Sequence, residues 1–279
     1  MDIKPASDYP TPDLGQLMNL SFEEYIVPIR LDDAQFQNML RKDAIDLPSS
    51  RVLLVEGEPA GIALIAHRGS LRASRLAAMG LKKDLRGQGL GKQFMEKLIQ
   101  DARDRKDQEM VLEVIEQNEP AVRLYQGFGF KTVRRLIGLV HQPEKQVAKS
   151  DFQEVNLREM GALISQHGLP DLPWQLSGET IALMDGSVCA YKHGEAYITI
   201  SNPDAEHIVI WSLLVEPSAR GKGLAVDMLE RVIAHHAGKV WHVPAIWPEE
   251  FGILFERAGF KREEISQKQM KLSLDQAAE

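Results

Sequence analysis

The 279-residue sequence has one cysteine, Cys189, so no disulfide can form within the chain. That fits a reducing compartment. Long hydrophobic runs are also missing. The longest, Ile208 to Val215, is interrupted by Ser212 and falls far short of the ~20 apolar residues that a membrane helix needs. The opening segment MDIKPASDYPTPDLGQ has neither a basic n-region nor an apolar h-region, so no signal peptide is expected. A positive surplus is absent as well: 33 Lys and Arg stand against 40 Asp and Glu, a net charge of −7. General nucleic-acid binding needs a basic footprint that this chain lacks. The expectation is a cytoplasmic protein with neither a membrane nor a nucleic-acid partner. With 44% hydrophobic and 26% charged residues, a disordered chain, a collagen-like repeat and a coiled-coil rod are excluded. The length suggests two domains of ~140 residues, each able to bury its own core.

An internal repeat carries the domain reading. Leu81-Lys-Lys-Asp-Leu-Arg86-Gly87-Gln88-Gly89-Leu90-Gly91 recurs 134 residues later as Val215-Glu-Pro-Ser-Ala-Arg220-Gly221-Lys222-Gly223-Leu224-Ala225. Leu124-Tyr125 through Gly129-Phe130-Lys131 recurs 130 residues later as Leu254-Phe255 through Gly259-Phe260-Lys261. So long an offset means a duplicated domain rather than a solenoid. Each copy reads as strand, glycine turn, helix, strand, short helix, strand. Val52–Val55 and Gly61–Ile65 flank a turn signal, Glu56 to Pro59. Phe94, Met95, Leu98, Ile99 and Ala102 have helical spacing, and so do Leu224, Met228, Leu229, Val232 and Ile233. Met110–Ile115 is rich in β-branched residues, and Glu119-Pro120 opens a short helix. The polar stretch from His141 to Phe152 marks the expected boundary, giving domains over 1–142 and 151–279.

A strand that enters a glycine turn and leaves as a helix is suited to an anion. Glycine lets backbone N–H groups approach a ligand closely, and the helix N-terminus adds unpaired donors with partial positive charge. Lys82, Lys83, Arg86 and Lys92 surround the first turn. Neither common phosphate motif fits. A Walker A loop needs Gly at position 86 and Ser or Thr at 93, where Arg and Gln stand. A G-x-G-x-x-G fingerprint needs Gly at 92, where Lys stands.

Arg-Gly-x-Gly-x-Gly followed by Asn118-x-x-Ala121-x-x-Leu124-Tyr125-x-x-x-Gly129-Phe130 resembles the GNAT family of acyl-CoA N-acyltransferases. The tandem layout is similar to double-domain proteins of the mycothiol synthase type. The resemblance implies an α/β (α+β) fold of two tandem GNAT domains, each a splayed mixed sheet flanked by helices. Acetyl-CoA would be the cosubstrate. Its pyrophosphate would lie on the backbone of Arg86, Gly87, Gln88, Gly89, Leu90 and Gly91, and its pantetheine along Met79, Gly80 and Leu81. Asn118 would touch the cofactor arm, and Arg220, Gly221, Lys222 and Gly223 would form a second cradle.

Amide formation requires an amine free of its proton, a polarised thioester and a stabilised leaving thiolate. Tyr125 occupies the family's general-acid position. Glu113, in Leu112-Glu113-Val114, matches the proposed base of ribosomal-protein N-terminal acetyltransferases. Glu116 is its alternative, and an outward-facing strand glutamate is the plainer reading of Glu113. The acceptor, a small-molecule or peptide amine, would meet the region holding Phe22, Glu23, Glu24, Tyr25 and Asp32, or a pocket lined by Trp174, Trp241 and Trp247. His235, His236 and His242 lack metal-ligand spacing, so no metal is expected. In the second copy Phe255 stands for Tyr125 and Pro248 for Asn118. The first copy is therefore the expected catalytic half and the second a degenerate one. A protein that binds acyl-CoA without transferring anything, or an interaction protein with vestigial clefts, stays open.

Overall fold

The computed structural model describes residues 1–142, 151–184 and 186–274. In chain order the elements are β1 (Asp2–Pro5), α1 (Thr11–Ser21), α2 (Asp33–Lys42), β2 (Arg51–Val55), β3 (Glu58–Arg68), β4 (Ala73–Leu81), α3 (Leu90–Asp104), β5 (Glu109–Ile115), α4 (Glu119–Gly127) and β6 (Lys131–His141). Then follow β7 (Gln153–Val155), α5 (Leu157–His167), α6 (Gly178–Ala182), β8 (Cys189–His193), β9 (Ala196–Ile200), β10 (His207–Val215), α7 (Leu224–His235), β11 (Val240–Pro248), α8 (Gly252–Arg257) and β12 (Lys261–Ser273).

The chain forms two compact units, 1–133 with 269–279, and 134–268. In unit 1 the sheet order is β1-β2-β3-β4-β5, with β12 beyond β5. One face packs under α3 and α4, where Phe94, Met95, Leu98, Ile99 and Ala102 are all buried with Leu76, Met110 and Leu112. The other face packs under α1 and α2 through Leu14, Leu17, Met18 and Phe36 against Val52, Ile62 and Leu64. Helix α2 starts at a capping box, in which the Asp32 carboxylate accepts from the Gln35 N–H and the Gln35 side chain accepts from the Asp32 N–H. Unit 2 orders its strands β6-β11-β10-β9-β8-β7. There α7 and α8 bury Met228, Leu229, Val232, Ile233 and Phe255 on one face, and α5 and α6 bury Met160, Ile164 and Ile181 in a separate cluster.

The units depart from the expected 1–142 and 151–279 segments by exchanging their last strands. Residues 134–141 of β6 pair with β11 from Leu136↔Pro248 to His141↔Trp241 and place Ile137 and Leu139 in the core of unit 2. The end of β12 returns to unit 1, where Met270, Leu272 and Leu274 are buried. There Lys271 pairs with Glu109, and the Leu274 N–H donates to the Gln108 carbonyl. Both strands follow the same Gly-Phe-Lys signal, which does not say which sheet each completes. Of the expected boundary stretch, residues 143–150 lie outside the described residues.

Candidate active site

In unit 1 the parallel ladder of β4 and β5 runs from Ala73↔Glu109 to Leu76↔Leu112, although β4 continues to Leu81 and β5 to Ile115. A bulge at the break, where Leu64 pairs Ala78 and Ile65 pairs Leu76, leaves Ala77 as the extra residue. Beyond it Met79, Gly80 and Leu81 pair with β3 on one side. Their other edge is turned away from that ladder and can accept an extended, amide-bearing chain. The strand runs on into a 3-10 turn, Lys83–Leu85, then Gly87 at φ +76° and Gly89 at φ +81°, the latter capping α3. Left-handed backbone at two alternate positions is the reason for glycine there, since a Cβ at either would meet no atom within 4 Å.

Arg86 and Lys83, two of the four cations around this turn, have partners among the described residues. The Arg86 guanidinium donates to the carbonyls of Leu81, Ser21 and Glu23 at 3.0, 3.2 and 2.8 Å. Lys83 pairs with Glu24 at 2.6 Å, with both side chains exposed. Arg86 therefore acts as a clamp between the end of α1 and the glycine turn. The clamp also brings the following loop over the strand end. A Cβ at Gly80 would lie 2.8 Å from Phe22, whose ring meets Tyr25 edge-on at 5.2 Å.

Tyr125 lies on α4, buried, with its ring 5.8 Å from Phe130. Burial first, and the neighbouring Tyr25 second, push its phenol well above the ordinary tyrosine range. Like any tyrosine it is protonated at neutral pH, and the shift makes it a weaker acid whose O–H remains a hydrogen-bond donor. Asn118 caps α4 by accepting from the Ala121 N–H at 3.3 Å, and its amide donates to the Tyr25 hydroxyl at 3.4 Å. Tyr25, Asn118 and Tyr125 form one group at the open end of the β4–β5 splay. The sequence places Tyr25 only in the acceptor region and does not foretell its bond to Asn118. Its partner lies 93 positions away, and no local signal marks that contact.

Glu113, the expected base, lies in a buried ion pair. Its carboxylate accepts from Arg75 at 2.7 Å, and both side chains are buried, with 3% and 6% of their surface exposed. Asp43 lies 4.0 Å from the same guanidinium. If Glu113 took up a substrate proton, Arg75 would become a buried cation without its main counter-ion. Glu113→Gln is expected to lower stability by about 3 kcal/mol rather than to act first on turnover. Thermal melts beside initial rates check this: an unchanged melting temperature with lost turnover would favour Glu113 as the base.

Unit 2 repeats the geometry. The β10–β11 ladder ends at Val209↔His242, and a bulge places Trp211 where unit 1 has Ala77. A 3-10 turn, Pro217–Ala219, leads to Gly221 at φ +79° and Gly223 at φ +83°, which caps α7. Arg220 clamps as Arg86 does, donating to the carbonyls of Val215 and His167. Between the open edge of β10, this turn and α8 lies a cavity of about 470 Å³, walled by Trp211, Leu214, Trp247 and Phe251 among others. That is the size range of small-molecule and cofactor sites. Phe255 is fully buried in the core and Pro248 closes β11. Of the three tryptophans, Trp247 reaches the cavity, whereas Trp174 and Trp241 are core residues. Among the described residues no three His, Cys, Asp or Glu side chains group as metal ligands, and no helix is long and apolar enough to cross a membrane.

Residues 14–130 and 155–247 match the model of the acetyltransferase (GNAT) family. The chain belongs to the GNAT family. No curated protein sequence matches this GNAT chain significantly. Among solved structures, it is similar to a GCN5-related N-acetyltransferase from Sphaerobacter thermophilus, with TM-score 0.68 and 15% identity over 95% of this chain and 93% of that one. It is also similar to a tandem GNAT protein from the clavulanic acid biosynthesis pathway, with TM-score 0.64 and 14% identity over 99% of this chain and 100% of that one. A GCN5-related N-acetyltransferase from Anabaena variabilis ATCC 29413 gives TM-score 0.60 and 17% identity over 98% of this chain and 73% of that one. At such identities the likeness is one of fold, two GNAT units in one chain.

Proposed function

We propose that this protein transfers an acetyl group from acetyl-CoA to a primary amine of a small molecule or a peptide N-terminus, and that unit 1 is the principal centre. The observation that carries this reading is the placement of Tyr125, a buried phenol grouped with Asn118 and Tyr25 where β4 and β5 part. The residues suit the cosubstrate. The left-handed glycines present the N-terminus of α3 to a diphosphate, and the free edge of Met79–Leu81 matches the amides of a pantetheine arm. Acetyl-CoA supplies the activated acyl carbon and a thiolate leaving group. Tyr125 donates its proton to that sulfur as the bond breaks. With Glu113 held by Arg75, the amine enters the cleft already neutral, having lost its first proton to solvent. The second proton, which leaves the nitrogen as the C–N bond forms, passes through solvent and returns Tyr125 to its protonated state.

The test is release of free thiol from acetyl-CoA with polyamines, amino acids, aminoglycosides and peptide N-termini as acceptors. No turnover across that panel, with acetyl-CoA binding verified, would favour a binding protein over an enzyme. Gly89→Val probes the cradle. A β-branched residue at φ +81° is strained and its side chain would occupy the approach of the diphosphate. Acetyl-CoA affinity is expected to fall at least tenfold, or ~1.4 kcal/mol. Calorimetric titration of a variant with a native melting profile reads it, and unchanged affinity would remove the first turn from the cofactor site.

A second reading concerns unit 2. Its cavity joins a glycine turn to an open strand edge, which supports acyl-CoA binding there, but the tyrosine and asparagine of unit 1 are replaced by Phe255 and Pro248. Gly223→Val is expected to spare most wild-type turnover while removing one of two bound acetyl-CoA equivalents in equilibrium dialysis.

A further inference from the structure

Of the described residues that line the unit 2 cavity, only His167, Arg220 and Arg257 have ionisable side chains. Guanidinium groups do not give up a proton near neutral pH, whereas an imidazole both takes and gives one. The one hydroxyl in the wall, Ser212, already donates to Thr199 Oγ1 at 2.7 Å. Phe255, which stands for the unit 1 tyrosine, has no proton to offer and does not reach the cavity.

The position of His167 is set by the clamp. It is the last residue of α5, and its carbonyl accepts from Arg220. In unit 1 the same carbonyl belongs to Ser21, the last residue of α1, bonded to Arg86. That carbonyl lies 2.8 Å from the place of a Cβ on Gly80, in the stretch of β4 that parts from β5. The duplication thus sets the end of α5 near β10, and His167 lines the same cavity as Leu213, Leu214 and Val215.

We propose that unit 2 is a second acyl-transfer centre in which His167 carries the proton that Tyr125 carries in unit 1, a proposal that rests on the unit 2 cavity being an acyl-CoA site. A neutral amine forms the new C–N bond to the thioester carbon, and the C–S bond breaks. The proton leaving the nitrogen passes to the His167 imidazole and from it to the departing sulfur. Amine and thioester become amide and free thiol, with His167 returned to its starting state.

The experiment uses the full-length chain carrying Tyr125→Phe, with acetyl-CoA as donor and the same four classes of amine as acceptors. A slow residual thiol release is expected. Adding His167→Ala, or His167→Gln if the alanine variant melts early, should lower that residual at least ~10-fold. Free imidazole should restore it to the alanine variant, and bound acetyl-CoA should stay at two equivalents. Chemical rescue is the readout that a merely structural role would not produce. Residual release unchanged by His167→Ala, a loss that imidazole does not restore, or no residual release at all with two equivalents bound, each overturns the proposal. A single bound equivalent that Gly223→Val leaves in place overturns it at its premise, the cavity as an acyl-CoA site. Full turnover in Tyr125→Phe that His167→Ala abolishes would instead overturn the assignment of unit 1 and leave unit 2 as the working centre.

Discussion

Tyr125→Phe is expected to lower thiol release from acetyl-CoA roughly 10- to 1,000-fold with little change in acetyl-CoA affinity. The substitution removes one hydroxyl and keeps the ring that packs 5.8 Å from Phe130, so the core of unit 1 has no reason to rearrange. What is lost is the O–H donor of a buried phenol. A factor of 10 to 1,000 corresponds to about 1.4 to 4 kcal/mol of barrier, within the range of general-acid effects. The split between constants matters more than the size. A fall in kcat at constant Kd for acetyl-CoA places the hydroxyl in the chemical step. A matching rise in Kd would make it a binding contact, and an unchanged rate would remove it from the chemistry. The neighbouring Asn118 gives a contrast. Its side chain caps α4 and holds Tyr25, so Asn118→Ala should disturb the helix start as well as the site.

Much of this arrangement was legible in the residues, because its signals are local. The spacing of Phe94, Met95, Leu98, Ile99 and Ala102 gives a helix, and all five are buried on α3. Gly87 and Gly89 mark a turn from strand to helix, and the structure adds a left-handed backbone there that Gly221 and Gly223 repeat to within a few degrees. What stayed hidden depends on partners distant in sequence. Nothing near Glu113 announces Arg75, 38 positions earlier, so a carboxylate that reads as a free base is an ion pair. Arg86 reads as a phosphate cation until its guanidinium is found on the carbonyls of Ser21 and Glu23, more than 60 residues away. The substitution of Phe255 for Tyr125 reads as decay. Yet Trp211, Trp247 and His167, gathered from three elements, wall a cavity that no single segment foretells. Periodicity shows which residues are buried, while the identity of a charge's neighbour is a property of the tertiary fold.

The exchange of terminal strands leads to the second large effect, in which the end of the chain controls the fold of its beginning. Met270 is fully buried, and Leu272 and Leu274 nearly so, in the same cluster as Leu76, Phe94, Leu112 and Tyr125. Met270→Ala removes a buried side chain from a packed core, a change that typically costs about 2–5 kcal/mol. That is a large part of the stability of an ordinary domain. Deleting residues 269–279 removes three buried apolar side chains together with a strand that satisfies backbone groups such as the Gln108 carbonyl. Unit 1 is then expected not to fold, although the deletion lies about 140 residues from Tyr125 in sequence. Unit 2 keeps its own sheet, from β6 through β7, and its own clusters around Trp241 and Met160. Hydrogen exchange on the deleted chain should therefore show lost protection over β2 to α4 and kept protection over β9 to α7, with Tyr125-dependent turnover gone. If the truncated chain retained protection in β4 and β5 and full activity, the returning strand would be an ornament on a unit that is complete without it. If protection were lost in both units together, the two would be one cooperative body, and the burial of Met270 would be supporting the whole chain rather than its first half.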